Sequence, residues 1–66
     1  MLGEKIKSAR KAAKLTQKQL GLLVGLSEKS AENTIQYWEY DKRDPAVEQL
    51  RPLCKALGIT LEELIP

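Results

Sequence analysis

Apolar side chains recur every three or four positions near the start of the chain, which is the spacing of one helical face. Leu2, Ile6, Ala9 and Ala13 follow this spacing, and most of the residues between them are charged or polar. The pattern predicts a first amphipathic helix from about Leu2 to Lys14.

A second, shorter helix is predicted from Thr16 to Val24. Thr16 is a favourable N-cap residue, and Gln19 completes a capping box in which each side chain accepts the other residue's backbone N–H. The apolar residues of this helix share one face: Leu20, Leu23 and Val24. Gly25 follows directly, and glycine readily adopts the left-handed conformation that ends many helices.

A third helix is predicted from Ser30, as its N-cap, to about Tyr40. Ile35 and Trp38 lie three positions apart, so both should face the core. The fourth helix is expected to start at Asp44-Pro45 and to stop at Gly58.

The apolar positions of the fourth helix are Leu50, Leu53, Cys54 and Leu57. Pro52 interrupts this pattern because it cannot donate a hydrogen bond to the Glu48 carbonyl oxygen. We therefore expect either a kink or a regular helix that begins near Leu50.

Thr60 and Glu63 form another capping box, which predicts a short last helix from Leu61 to Ile65. No segment alternates with a period of two, so strands are not expected. The chain has 66 residues, a length typical of one domain. The prediction is an all-α, compact five-helix bundle, a single domain over residues 1–66 with a helix-turn-helix at about 16–40.

Charge is distributed unevenly along the chain. Residues 1–18 carry six lysine or arginine residues against one glutamate, whereas the remaining residues carry five basic and eight acidic side chains. Such asymmetry is typical of a protein with one face that meets a polyanion. An ordinary solvated helix surface would also be rich in lysine, so both interpretations stay open here.

The residue inventory argues against an enzyme and against a bound metal or cofactor. The chain has no histidine, and its one cysteine, Cys54, cannot form a thiolate zinc site or an internal disulfide. Cys54 lies at helical spacing from Leu50 and Leu57, which is typical of a small buried hydrophobe. No apolar run reaches the length of a membrane span and the N-terminus lacks a signal-peptide core, so we expect a cytoplasmic protein.

Two short helices, an abrupt turn and a basic loop at Lys42 and Arg43 together indicate a helix-turn-helix, which places one helix in a DNA major groove. The alternative is a protein-interaction module, such as an antitoxin or an accessory regulator with little DNA binding of its own. Acidic residues around the third helix favour that alternative: Glu28, Glu32, Asp41 and Asp44.

Three segments, IKSARKAAKLTQKQLGLLVGLS, IQYWEYDKRDP and LCKALGITLEELI, resemble in order and spacing the Cro/C1-type helix-turn-helix domain of phage repressors and bacterial regulators. The resemblance covers about Ile6 to Ile65. It implies the lambda-repressor-like fold and transcriptional regulation, with repression the more frequent role. It also implies binding of double-stranded operator DNA, usually as a symmetric dimer with the third helix in the major groove.

The resemblance, anchored on Ile35 and Glu39, also implies roles for individual residues. Candidate base-reading residues are Glu32, Asn33, Gln36 and Tyr37. Candidate phosphate contacts are Gln17, Lys18, Tyr40, Lys42 and Arg43. Arg10 and Glu39 should form an ion pair that ties the first helix to the third. Asn and Gln can bind adenine through paired hydrogen bonds, and Glu can accept one from cytosine, which supports the base-reading roles chemically.

The chain departs from the family pattern at two places. Residues 28–31 look like an insertion before the third helix, which leaves the base-reading register open. Asp41 stands where the family often has glycine, and we expect it to adopt the left-handed conformation.

The last helix is the candidate for a weak homodimer contact. Leu61, Leu64 and Ile65 exceed what so short a helix can bury. Alternatively, Leu61 and Leu64 close the core of the monomer and only Ile65 is exposed.

Overall fold

Residues 2–65 are described by a computed structural model, and they form five α-helices without a strand. The helices are α1 (Leu2–Ala12), α2 (Gln17–Val24), α3 (Ala31–Glu39), α4 (Val47–Leu57) and α5 (Leu61–Leu64). The expected all-α architecture is therefore confirmed. The interval between α2 and α3 is the turn of the helix-turn-helix.

Local capping sets the start of α2 and of α5 as the sequence predicts. Thr16 Oγ1 accepts from the Gln19 N–H at 3.0 Å, and Gln19 Oε1 accepts from the Thr16 N–H at 2.8 Å. Thr60 and Glu63 repeat this exchange at 3.2 and 2.9 Å. Gly25, with a φ of 101°, ends α2 in the expected left-handed conformation.

The first helix ends earlier than the periodicity suggests. Lys14 has a φ of 60°, so α1 stops at Ala12 and the chain reverses into α2. The Leu15 N–H donates to the Arg10 carbonyl oxygen at 3.1 Å and closes this turn. Ala13, expected on the buried face, is exposed.

Residues 28–31, which resemble an insertion in the sequence, form a hydrogen-bonded turn followed by the start of α3. Ser30 stands at the N-cap position but does not cap the helix with its side chain, contrary to expectation. Its hydroxyl instead lies 2.9 Å from the Ser27 hydroxyl, and the Ser27 carbonyl oxygen accepts from the Ala31 N–H at 2.8 Å. Ala31 is fully buried against Gly21 of α2, where a β-carbon would lie 2.6 Å from the Ala31 carbonyl oxygen. Glycine thus allows the close approach of α2 and α3.

The predicted start of α4 at Asp44-Pro45 is wrong. The helix begins at Val47, after Ala46 as the N-cap residue. Alanine has no capping side chain, but the Gln49 Oε1 atom accepts the Ala46 N–H at 2.8 Å and stabilises this start. The helix then continues through Pro52, so its regular part does not wait until Leu50. Glu48, whose carbonyl loses its donor, is exposed.

The core lies where all five helices meet. Its fully buried large side chains come one from each helix: Ile6, Leu20, Ile35, Leu53 and Leu64. Cys54 is also buried, and this burial raises the pKa of its thiol. Leu23, expected in the core stripe of α2, is 58% exposed, so that expectation is wrong.

The last helix matches neither sequence interpretation in full. Leu64 is completely buried in the monomer and is therefore not available for a dimer contact. Leu61 and Ile65 are 44% and 41% exposed, so Leu61 does not close the core.

Candidate nucleic-acid interface

A buried ion pair fixes the end of α3 to α1. Arg10 Nε lies 2.5 Å from Glu39 Oε2, and a second guanidinium nitrogen lies 3.3 Å from Glu39 Oε1. The two side chains are only 11% and 1% exposed. The remaining nitrogen of Arg10 donates to the Leu15 carbonyl oxygen at 2.8 Å. The ion pair implied by the resemblance is therefore present, and it joins α1, the following turn and α3.

Two glutamines extend this network towards the surface. Gln17 Nε2 donates to Glu39 Oε1 at 3.0 Å, and Gln36 Nε2 donates to Gln17 Oε1 at 3.1 Å. The family resemblance implies separate roles for these glutamines, and no spacing in the sequence links positions 17 and 36. In the structure, the Gln36 amide is oriented by hydrogen bonds that lead back to the buried ion pair.

The other candidate base-reading residues lie on the surface of α3. Asn33 and Tyr37 are one helical turn apart and exposed, on the side of α3 away from buried Ile35. Glu32 is also exposed but lies beside Gln17, at the rim of a cleft. The four candidates thus form two groups: Asn33 and Tyr37 point outward, whereas Glu32 and Gln36 lie on the side of α2.

The loop after α3 folds back over the end of that helix. Asp41 has a φ of 59°, so the expected left-handed conformation is confirmed. Its Oδ1 accepts a hydrogen bond from the Gly3 N–H at 3.0 Å, and this bond lowers the pKa of Asp41. Gly3 is needed there, because a β-carbon would lie 2.6 Å from the Trp38 carbonyl oxygen.

The two basic loop residues are held close to Tyr37. The N–H groups of Lys42 and Arg43 both donate to the Tyr37 carbonyl oxygen, at 2.9 and 3.3 Å. The Arg43 guanidinium lies over the Tyr37 ring, with its central carbon 5.6 Å from the ring centroid. The basic loop therefore borders the outer face of α3.

A cleft of about 530 Å³ lies between α1, the start of α2 and α3, and basic side chains surround it. Three expected phosphate contacts, Gln17, Lys18 and Tyr40, line this cleft together with Lys7 and Lys11 of α1. The sequence did not single out Lys7 and Lys11, although the excess of lysine in residues 1–18 includes them. Their position adds them to the candidate phosphate-binding surface.

Lys18, one of these expected phosphate contacts, forms an ion pair with Glu28 in this structure. Its Nζ lies 3.5 Å from Glu28 Oε1, and both side chains are largely exposed. Glu28 belongs to residues 28–31, so this segment places a carboxylate against a cation of α2. An exposed pair of this kind is weak and can open when a phosphate approaches.

The described residues contain no group of three or more His, Cys, Asp or Glu side chains that could hold a metal ion. None of the helices formed by residues 2–65 is long and apolar enough to cross a membrane.

Comparisons with known proteins show the family and the fold of this chain. A family model described as helix-turn-helix matches residues 6–64. The crystal structure of the P22 c2 repressor protein, in complex with a synthetic operator in the presence of Tl⁺, is similar to this chain, with a TM-score of 0.84 and 36% sequence identity. The alignment covers 97% of this chain and 91% of the repressor chain. No curated protein sequence matches the chain.

Proposed function

Because this chain belongs to the Cro/C1-type helix-turn-helix family, we propose that it represses transcription by binding double-stranded operator DNA with α3 in the major groove. The family and the fold are those of sequence-specific DNA-binding regulators, not of enzymes. The observation that carries the proposal is the polar surface of α3, where Asn33 and Tyr37 are exposed, Gln36 is held by the network around Glu39, and Lys42 and Arg43 lie at the border. A regulator of this kind acts where the DNA is, which is the reason for proposing a cytoplasmic location.

Base reading is the role of the polar side chains of α3. Gln36 uses one amide proton on Gln17, which leaves its second N–H and its carbonyl oxygen for a base. Those two groups are the pair that binds the N7 and N6 atoms of adenine. Asn33 offers the same two groups, and Tyr37 adds a hydroxyl and an apolar ring edge suited to a thymine methyl group. Glu32 can accept from the N4 amine of cytosine.

Phosphate contacts surround these base-reading residues. Gln17, at the N-terminus of α2, and Tyr40, directly after α3, lie along the cleft between α1 and α3, and Lys42 and Arg43 lie in the loop that follows α3. Lys18 joins them when its pair with Glu28 opens. Contacts of this type position the protein and make its affinity depend on salt, but carry little sequence information.

The structure gives little support to a protein-interaction module. Of the four acidic residues that favour it, Glu28 pairs with Lys18 and Asp41 accepts the Gly3 N–H. Asp41 therefore has a role within the fold, as an anchor of the loop after α3, and the exposed pair of Glu28 is weak.

One helix reads only a few base pairs, so we propose that two copies bind a palindromic site about a symmetry axis. The exposed apolar residues of the last helix and its C-cap, Leu61 and Ile65, supply a weak dimer contact. Sedimentation with and without a palindromic duplex tests this proposal, with Ile65→Lys as the variant that should lose the dimer. One protomer per palindromic duplex at saturation would contradict it.

Selection from a randomised duplex pool, followed by gel-shift titration at several salt concentrations, tests DNA binding itself. Asn33→Ala and Gln36→Ala should each lose about 1–3 kcal/mol on the selected duplex and relax the preference at particular base pairs. Lys42→Ala should weaken binding to all duplexes similarly and reduce the salt slope by about one unit. Unchanged selectivity in both α3 variants would mean that the insertion has moved base reading elsewhere.

A further inference from the structure

Arg43, one of the expected phosphate contacts, also contacts the side chain of Tyr37, a candidate base-reading residue. Its guanidinium lies over the ring of Tyr37, 5.6 Å from the centroid, which is within the range of a cation–π interaction. Tyr37 is 43% exposed, so a large part of the residue faces solvent while the Arg43 guanidinium covers its ring. The Arg43 guanidinium is the cation–π partner of this ring in the described part of the chain, and it restrains how the ring is presented.

Hydrogen bonds of the loop backbone fix the position of Arg43 relative to Tyr37. The Arg43 N–H donates to the carbonyl oxygen of Tyr37, the residue whose ring its side chain covers, and the Lys42 N–H donates to the same oxygen. Asp41 reverses the chain with a φ of 59° and is itself bound to the Gly3 N–H. The loop thus has anchors at α3 and at α1, and Arg43 starts from a fixed position.

We infer that Arg43 is a positioning residue for sequence recognition: it holds the Tyr37 ring in the orientation that meets a base edge. An exposed helical tyrosine otherwise samples two main χ1 rotamers. Fixing one of them before binding reduces the side-chain entropy that is lost when the complex forms. This inference rests on the proposed function. It separates Arg43 from Lys42, which acts on phosphate alone.

Arg43→Lys distinguishes positioning from phosphate binding. Lysine keeps the positive charge but lacks the planar guanidinium that stacks on an aromatic ring. A phosphate contact should therefore survive the change, with the salt dependence of binding unaltered. The orientation of Tyr37 should not survive it.

The test uses the full chain and the duplex selected from the randomised pool, together with duplexes that carry one substituted base pair each. Tyr37→Leu identifies the base pairs whose discrimination depends on the ring. At those base pairs, Arg43→Lys should reduce discrimination about two- to fivefold, the worth of an exposed cation–π contact. In the Tyr37→Leu background, Arg43→Lys should have no further effect, and Lys42→Ala should change the salt slope without changing discrimination.

Two binding outcomes would overturn this inference but not the proposed function. One is that Arg43→Lys discriminates between base pairs as well as the wild type does, and the other is that this discrimination does not depend on Tyr37. If wild-type protein binds no duplex selectively, the proposed function fails and the inference fails with it. Proton NMR gives a readout without DNA, because the ring of Tyr37 should shift the Arg43 side-chain protons upfield. That shift should disappear in Tyr37→Leu, and its absence in the wild type would also contradict the inference.

Discussion

Replacing Arg10 with methionine should destabilise this protein far more than the same change at the surface. The substitution removes three of the donated hydrogen bonds around Glu39 and Leu15, and leaves the carboxylate of Glu39, whose side chain is 1% exposed, with only the Gln17 amide. Removing one partner of a buried ion pair costs about 3–5 kcal/mol. A 66-residue domain has a total stability of only about 3–10 kcal/mol, at about 0.05–0.15 kcal/mol per residue. Arg10→Met should therefore lose a large part of it.

The double change Arg10→Met with Glu39→Leu should recover part of the loss, because no buried charge is then left unpaired. Recovery should be incomplete, since Gln17 Nε2 loses its acceptor and the Leu15 carbonyl oxygen loses its donor. We expect a coupling free energy of about 1–3 kcal/mol between the two substitutions.

Urea unfolding followed by the fluorescence of buried Trp38 measures these differences, with Arg51→Met on the exposed surface of α4 as the matched control. The control should stay within about 0.5 kcal/mol of wild type. Equal unfolding midpoints for Arg10→Met and Arg51→Met would refute the reasoning, as would strict additivity in the double variant.

Three further predictions concern single side chains. Gly21→Ala should destabilise the protein, because a β-carbon there crowds Ala31 at a cost of about 1–3 kcal/mol, whereas the gain in helix propensity is about 1 kcal/mol. Urea unfolding measures the loss, with Lys18→Ala on the same helix as the control. The Gly3 N–H lowers the pKa of Asp41, so its contribution to stability is present above the ordinary value of 3.8 and is lost as the pH falls through the lowered value. In thermal melts the difference between wild type and Asp41→Asn should therefore narrow below pH 3.8, and a constant difference would contradict this. Glu28→Gln should release Lys18 and steepen the salt dependence of DNA binding by up to about one unit, whereas Glu62→Gln on α5 should not.

The elements that could be predicted from the sequence are those set by contacts within one turn of helix. The capping boxes at Thr16 and Thr60 require residues three positions apart, so they are visible in the sequence. The predicted start of α4 is wrong. Asp44-Pro45 is a favourable helix start, but the helix begins later, where the Gln49 side chain accepts the Ala46 N–H. Ser30 was expected to cap α3, but its hydroxyl instead forms a hydrogen bond with the hydroxyl of Ser27.

The parts of the site that the sequence could not give depend on distant positions. The Arg10–Glu39 pair was reached through family resemblance, because nothing local links two residues on separate helices. The bond between Gln17 and Gln36 and the stacking of Arg43 on Tyr37 arise only after the chain has folded. Leu23 is the opposite case: helical spacing places it beside the core stripe, but it stays 58% exposed in the folded chain.

Replacing individual purines of the selected duplex with their 7-deaza analogues tests most directly whether α3 reads the major groove. A 7-deazapurine lacks the N7 acceptor in the major groove and leaves the minor-groove edge unchanged. We expect one or two replacements to weaken wild-type binding by about 1–3 kcal/mol, and each loss to vanish in Asn33→Ala or Gln36→Ala. Selective binding that no 7-deazapurine weakens, or losses that both variants retain in full, would contradict major-groove reading by α3.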